Sequence, residues 1–219
     1  LHASTQCDVR SADKVRFLAG CGFTRVVLAR ELSLDEIRSI HEACPDVELE
    51  CFVHGALCVS YSGQCYASQY CFGRSANRGE CAQFCRLKFD LVDSDDNVII
   101  KGKHLLSLRD MNRMDSLEDL MDAGVCSFKI EGRLKDVQYV KNVTAAYSQA
   151  IDKVLVRRHE FVRASSGHSV AHFTPDVSRS FNRGFTDYFL HGRTDDIYSF
   201  GTPKSIGEKM GPVKEVGRG

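Results

Sequence analysis

In these 219 residues there is no apolar run of about 18, so a membrane-spanning helix is excluded. No charged segment leads into an apolar one, so no signal peptide is visible. Charge of either sign is not in excess: Lys and Arg total 29, as do Asp and Glu. A chain-wide basic field for gripping nucleic acid is therefore missing, which leaves room only for a local basic patch. Internal repeats and low-complexity tracts are absent, and the composition argues against wholesale disorder. The signatures G-x-S-x-G, H-E-x-x-H and C-G-S-C-W do not occur. No nucleophile, orienting partner and oxyanion hole can be picked out together.

What is present is an ordinary globular composition, 43% hydrophobic and 26% charged, with one outlier. There are ten cysteines, and six of them fall between Cys51 and Cys85. The chain is too long for a disulfide scaffold and has apolar periodicity of its own. The cysteines read as reduced thiols in a cytoplasmic protein, held for a metal or an iron–sulfur cluster, with buried inert thiols and disulfides as the alternatives.

Periodicity points to an α/β protein. Ser11–Ala19 has helical spacing with Val15 and Leu18 on one face, and Arg25–Ala29 is a short β-branched run typical of a buried parallel strand. Ser33 and Glu36 form a capping box for a helix that ends before Pro45, and Val47–Val53 is the next strand. A further strand is expected near His2–Thr5. This alternation predicts right-handed crossovers and a parallel sheet. Residues 56–90 show neither period, being rich in Cys, Ser, Gly and Arg. A hairpin is expected around the turn Asp93–Asn97, a helix at Ser116–Ala123, a strand at Ser127–Ile130, and then a long helix. Its buried stripe is expected to be Val137, Val140, Val143, Tyr147, Ile151 and Val154.

Three or four strand–helix units precede residue 156, fewer than the eight of a closed barrel. The expected organisation is the C-terminal half of a TIM-like barrel over 1–156, with a cysteine-rich insertion at 56–90. A linker and aromatic clamp follow over 157–200, and a small β-rich module begins at 201–219. Because the chain begins at Leu1, it is expected to be a fragment or a processed product.

The pattern Cys58-x6-Cys65-x15-Cys81-x3-Cys85 offers four thiolates, enough for a tetrahedral zinc or for the four irons of a 4Fe–4S cluster. Spacing alone leaves the two open. Arg74, Arg78 and Arg86 make the same stretch cationic, fitting either charge compensation, phosphate contact or a solvated loop.

The run His54-Gly55-Ala56-Leu57-Cys58-Val59-Ser60-Tyr61-Ser62-Gly63-Gln64-Cys65 resembles the signature of the collagenase-like peptidase family, family thirty-two of the unassigned peptidases. So do Ala3–Gln6, Leu28–Ser33, Ser127–Arg133 and Ser180–Thr186, in the same order. The resemblance implies a TIM-like barrel with a 4Fe–4S cluster on Cys58, Cys65, Cys81 and a fourth cysteine. That fourth is assigned to Cys85, with Cys71 and Cys126 as alternatives. It implies hydroxylation of a tRNA or rRNA base without molecular oxygen, such as wobble uridine to 5-hydroxyuridine, with prephenate as a small carboxylate co-substrate. The family label implies a protease instead, and a non-catalytic metal-binding scaffold is the third reading.

Barrel geometry sends the ends of strands to the active face. That picks out Gln6, Arg30, Glu31, His54, Glu131 and Arg133 as candidate site residues. Glu131 suits a general acid or base, and Arg30 or Arg133 suits a carboxylate clamp. The competing reading is an Arg–Glu pair that merely braces the rim, and His54 is equally well a structural histidine. The aromatics of 180–190 fit packing against the barrel better than stacking on bases.

Overall fold

A computed structural model describes residues 1–167 and 169–207, with Gly211, Pro212 and Glu215. The first strand, β1, is short (His2–Ala3). Helix α1 (Ala12–Gly20) starts where the Ser11 side chain accepts a hydrogen bond from the Lys14 N–H, and it buries Val15 and Leu18. Strand β2 (Arg25–Val27) follows. In helix α2 (Leu34–Ala43) both bonds of the capping box are made between Ser33 and Glu36, and Ile37 and Ile40 face inward.

Strand β3 (Glu48–Ala56) is the hub, buried continuously from Leu49 to Gly55. It pairs in parallel with β2. After it comes a short helix α3 (Ala67–Phe72), then a hairpin of β4 (Phe89–Val92) and β5 (Val98–Lys103). Strand β6 (Asp110–Asn112) pairs antiparallel with the last residues of β3. Helix α4 (Leu117–Asp122) stops at Gly124 and leads into β7 (Val125–Ile130), parallel to β3. Helix α5 (Val137–Arg157) is capped by Asp136, and β8 (Phe185–Thr186) joins β6 in parallel.

The result is a mixed α/β fold in which β1, β2, β3 and β7 run parallel. Val15, Ile37, Leu49, Leu120, Val125 and Val143 share one core between the sheet and its helices. Among the described residues no helix is long and apolar enough to cross a membrane.

Three local expectations are corrected. Residues 56–90 hold α3, whose six residues are too few to print a periodic stripe. Strand β6 was missed because three residues carry no alternation. On α5, Val137 and Val140 are 77% and 47% exposed, while Tyr139 and Ala146 are buried in their place. The stripe is rotated because the helix rests on aromatic and small residues rather than on its first two valines. At the C-terminal end, Val213, Lys214 and Val216, expected to open a β-rich module, lie outside the described residues. The aromatic segment is tied to the sheet. Beyond the β6–β8 pairing, the Leu34 N–H donates to the Leu190 carbonyl, and Tyr188 is 6% exposed.

Candidate functional site

Because β1, β2, β3 and β7 run the same way, the segments leaving their C-terminal ends collect on one side of the sheet. Gln6 follows β1, Arg30 follows β2, Cys58 follows β3, and Glu131 and Arg133 follow β7. These residues line a cavity of about 420 Å³. Cys65, Cys81 and Cys85 line it too. Cys71 and Cys126 do not; both are exposed, and Cys126 donates to the Leu49 carbonyl on β3.

Glycine is required where the elements meet. Gly55 has φ +105°, and a Cβ there would lie 2.3 Å from the Glu131 carbonyl oxygen. Gly63 has φ +73°, and a Cβ would lie 2.3 Å from the Gln6 carbonyl oxygen. These approaches press the end of β3 against the end of β7, and the cysteine loop against the residues after β1.

The cysteine loop is held by polar contacts. Between Cys58 and Lys103 only Ser62 and Ser68 are buried. The Ser62 N–H donates to Glu31 Oε1 at 2.9 Å, and Ser68 Oγ accepts from the Ala82 N–H at 2.9 Å. Asn77 Oδ1 accepts from the Cys65 N–H at 3.3 Å. Arg86 donates to the Leu57 carbonyl and to Ser107 Oγ. Burial pushes the Cys58 and Cys85 thiols above their ordinary range, and neighbouring cysteines add to both shifts: Cys65 and Cys85 around Cys58, Cys81 and Cys65 around Cys85. Among the described residues, no three Cys, His, Asp or Glu side chains converge tightly enough to hold a single metal ion.

The other candidates separate into two groups. Arg30, nearly buried, stacks its guanidinium 3.8 Å from the centroid of the Phe52 ring and sits 3.7 Å from Glu131 Oε2. Burial lowers its pKa, yet a guanidinium stays charged. The Arg133 N–H donates to Glu131 Oε1 at 2.9 Å, and the Arg133 side chain reaches the Gly79 carbonyl. Arg30, Glu131 and Arg133 thus form a charged edge of the cavity. Glu31 and His54 are not in its lining. Glu31 points to Ser62, with Arg10 at 3.5 Å, and anchors the loop from behind. His54 is 1% exposed among the rings of Tyr139, Tyr147 and Phe185. Burial pushes its pKa down to about 4.

Several residues escaped sequence reasoning. Arg113, 2% exposed, donates to the carbonyls of Arg30, Phe52 and Asp187. Asp110, Lys135 and Arg183 gather at the cavity as well, the last two in its lining. Arg183 lies within the Ser180–Thr186 motif, the one signal that could have found it.

One arrangement superficially resembles a serine hydrolase: Ser116 Oγ lies 3.2 Å from His191 Nε2, and Asp187 Oδ2 lies 3.8 Å from the same Nε2. A triad needs the acid on the opposite ring nitrogen and an accessible hydroxyl. Here both partners crowd one nitrogen, and Ser116 is 8% exposed.

The profile of peptidase family U32 matches residues 1–199. The chain belongs to peptidase family U32. Within this family it is 53% identical, over 218 residues, to the 23S rRNA 5-hydroxycytidine C2501 synthase of Escherichia coli, covering 100% of this chain and 33% of that protein. It is 38% identical to tRNA hydroxylation protein P1 of Bacillus subtilis, covering 74% of this chain and 40% of that one. A protein named collagenase from Porphyromonas gingivalis is 35% identical, with 88% and 48% covered. The chain thus spans a third to about half the length of these U32 relatives. No solved structure matches it.

Proposed function

We propose that this chain is the cluster-bearing part of an enzyme that hydroxylates a pyrimidine base of RNA, with ribosomal RNA the favoured substrate. The observation that carries the reading is the cavity in which Cys58, Cys65, Cys81 and Cys85 face Arg30, Glu131 and Arg133. The greater identity to an rRNA hydroxycytidine synthase than to a tRNA hydroxylation protein supports rRNA over tRNA.

A 4Fe–4S cluster on those four cysteines suits the geometry. All four cysteines line the one cavity, and four thiolates are the ligand set that such a cluster takes. The loop that carries them has almost no apolar interior, the condition in which a bound cluster serves as the core. Loaded, the cluster supplies redox chemistry at the cavity wall. The sheet is read as part of an α/β barrel, supported by the parallel order of β1, β2, β3 and β7 and by a site at their C-terminal ends.

The chain's own residues do the rest. Arg30, rigid on Phe52, and Arg133 present cations to an anionic co-substrate, for which the family resemblance implies prephenate. Glu131 lies between them with one oxygen fixed by the Arg133 N–H, placed to hold or release a proton. The loop supports RNA contact: over residues 57–88 the charges are Arg74, Arg78, Arg86 and Lys88 against Glu80 alone. Tyr66 and Tyr70, 67% and 92% exposed, stand one helical turn apart on the same loop, as a stacking platform would.

The test is deletion of the full-length gene in its host, with mass spectrometry of rRNA and tRNA nucleosides. The expected result is loss of a 5-hydroxypyrimidine, restored by the wild-type gene and not by a Cys58→Ala copy. Unchanged nucleosides, together with proteolysis by the purified protein that persists without iron, would establish the protease reading instead.

A further inference from the structure

The charge at the cavity does not balance. Arg183 lines the cavity but is only 7% exposed. Among the described residues its guanidinium makes one hydrogen bond, from an Nη nitrogen to Asp110 Oδ1 at 2.9 Å. The second oxygen of Asp110 is taken by the backbone N–H of Arg183 itself, at 2.8 Å. The Nε–H of Arg183 is buried without an acceptor. A guanidinium carries five donors, so most of this one's capacity is unspent, and its Nε–H is buried.

A second cation stands beside it. Lys135, also in the lining, holds its Nζ 3.2 Å from the centroid of the Phe181 ring, and the Arg183 guanidinium lies 5.6 Å from the same centroid. Arg86 is the third cation here, with one Nη nitrogen on the Leu57 carbonyl and the other on Ser107 Oγ. Asp110, 1% exposed, is the carboxylate buried beside Arg183, while Glu131 is half-buried, with Arg30 at 3.7 Å and the Arg133 backbone N–H on its Oε1. Burial first, and then the nearness of Arg183, push the pKa of Lys135 down. The charges nearest in effect on Lys135 are Asp110, Arg183 and Glu131.

We infer that Lys135 and Arg183, both beside the Phe181 ring, form an anion subsite of the cavity that binds the oxyanion of the molecule entering it. The chemistry is that of a carboxylate or a phosphate, with Asp110 fixing the orientation of Arg183. Two sources carry such a group: a small carboxylic acid, or the backbone of the RNA. The inference rests on the proposed function for the reaction it serves, not for the binding itself.

Calorimetric titration of the full-length protein, purified without oxygen and at low ionic strength, tests it. The probes are malonate, inorganic phosphate and a short single-stranded oligoribonucleotide. Lys135→Gln and Arg183→Lys are compared with wild type, with iron and sulfide content and melting temperature as controls. The expected result is binding weakened about tenfold or more in each variant, with iron content unchanged. Malonate binding that depends on both residues identifies a small acid. Oligonucleotide binding that depends on them, without malonate binding, identifies RNA phosphate. Equal affinities in wild type and in Lys135→Gln overturn the subsite, and that variant decides alone if Arg183→Lys does not fold. Absence of all probe binding by wild type overturns it too. Intact nucleosides in the deletion strain, with the anion dependence preserved, would refute the proposed function and leave the subsite standing.

Discussion

The parallel sheet and the cysteine stretch that leaves β3 are stabilised by different means. The sheet region buries Leu49, Val53, Val125 and Val143 against one another, and its shape follows from apolar side chains that must leave water. From Cys58 to Lys103 the buried residues are two serines, and exposed surface includes Tyr66, Tyr70, Leu91 and Ile99. One region folds on its own contents. The other is pinned at a handful of hydrogen bonds from polar groups.

The sharpest way to break that comparison is to remove a cysteine. Cys58→Ser in the full-length protein is expected to abolish iron binding and to open residues 58–103 to limited proteolysis, while the fragments carrying 1–56 and 110–157 survive. Iron analysis beside peptide mapping checks both halves; uniform unfolding of the sheet would refute the division. Next is glycine in the two regions. Gly55→Ala drives a Cβ into the Glu131 carbonyl at an unfavourable φ and is expected to cost about 3–4 kcal/mol in denaturant unfolding. Gly73→Ala, in the loop at φ +66° with open space around it, is expected to cost about 1 kcal/mol.

The third effect is one of pH. His54 titrates at about 4 in the folded protein against an ordinary 6.5, so only the unfolded chain takes up its proton between those values. Stability should therefore fall as pH drops from 6.5 towards 4, by up to about 3 kcal/mol, and be full above 6.5. A His54→Gln variant, lacking the titrating group, should show a flatter melting temperature over that window; an identical slope would remove His54 as its source. Smallest is a pair on α5. Val143→Ala should cost about 2 kcal/mol and Val140→Ala less than about 0.5, because Val143 is fully buried and Val140 is 47% exposed. Equal costs would mean that α5 is rotated from the orientation described.

Legibility in the sequence follows the same divide. The capping box at Ser33 and Glu36, the β-branched run of β2 and the stop of α4 at Gly124 are local signals with local causes, and each stands where it was expected. The first two valines of α5 misled because periodicity reports that a face exists, not which turn of it meets the sheet. The signature around Cys58 singled out the cysteine loop, and strand-end logic named Arg30, Glu131 and Arg133, all of which line the cavity. The same logic put His54 among them, and it failed to separate a side chain that enters the cavity from one packed behind it. Arg113, Asp110 and Arg183 gave no periodic signal, because their partners are backbone carbonyls and one distant carboxylate.

Strand β8 has a consequence for the order of events during synthesis. Its register, Phe185 against Asp110, joins residues far apart along the chain, so this contact forms late and slowly. Cys58 to Cys85 leave the ribosome well before Arg183 is made. The thiols therefore pass through an interval in which they are translated but their wall is unfinished, exposed to oxidants and to stray metals. A chain stalled just before Phe185 should show thiols that react freely with alkylating agents, and release past that point should slow the reaction.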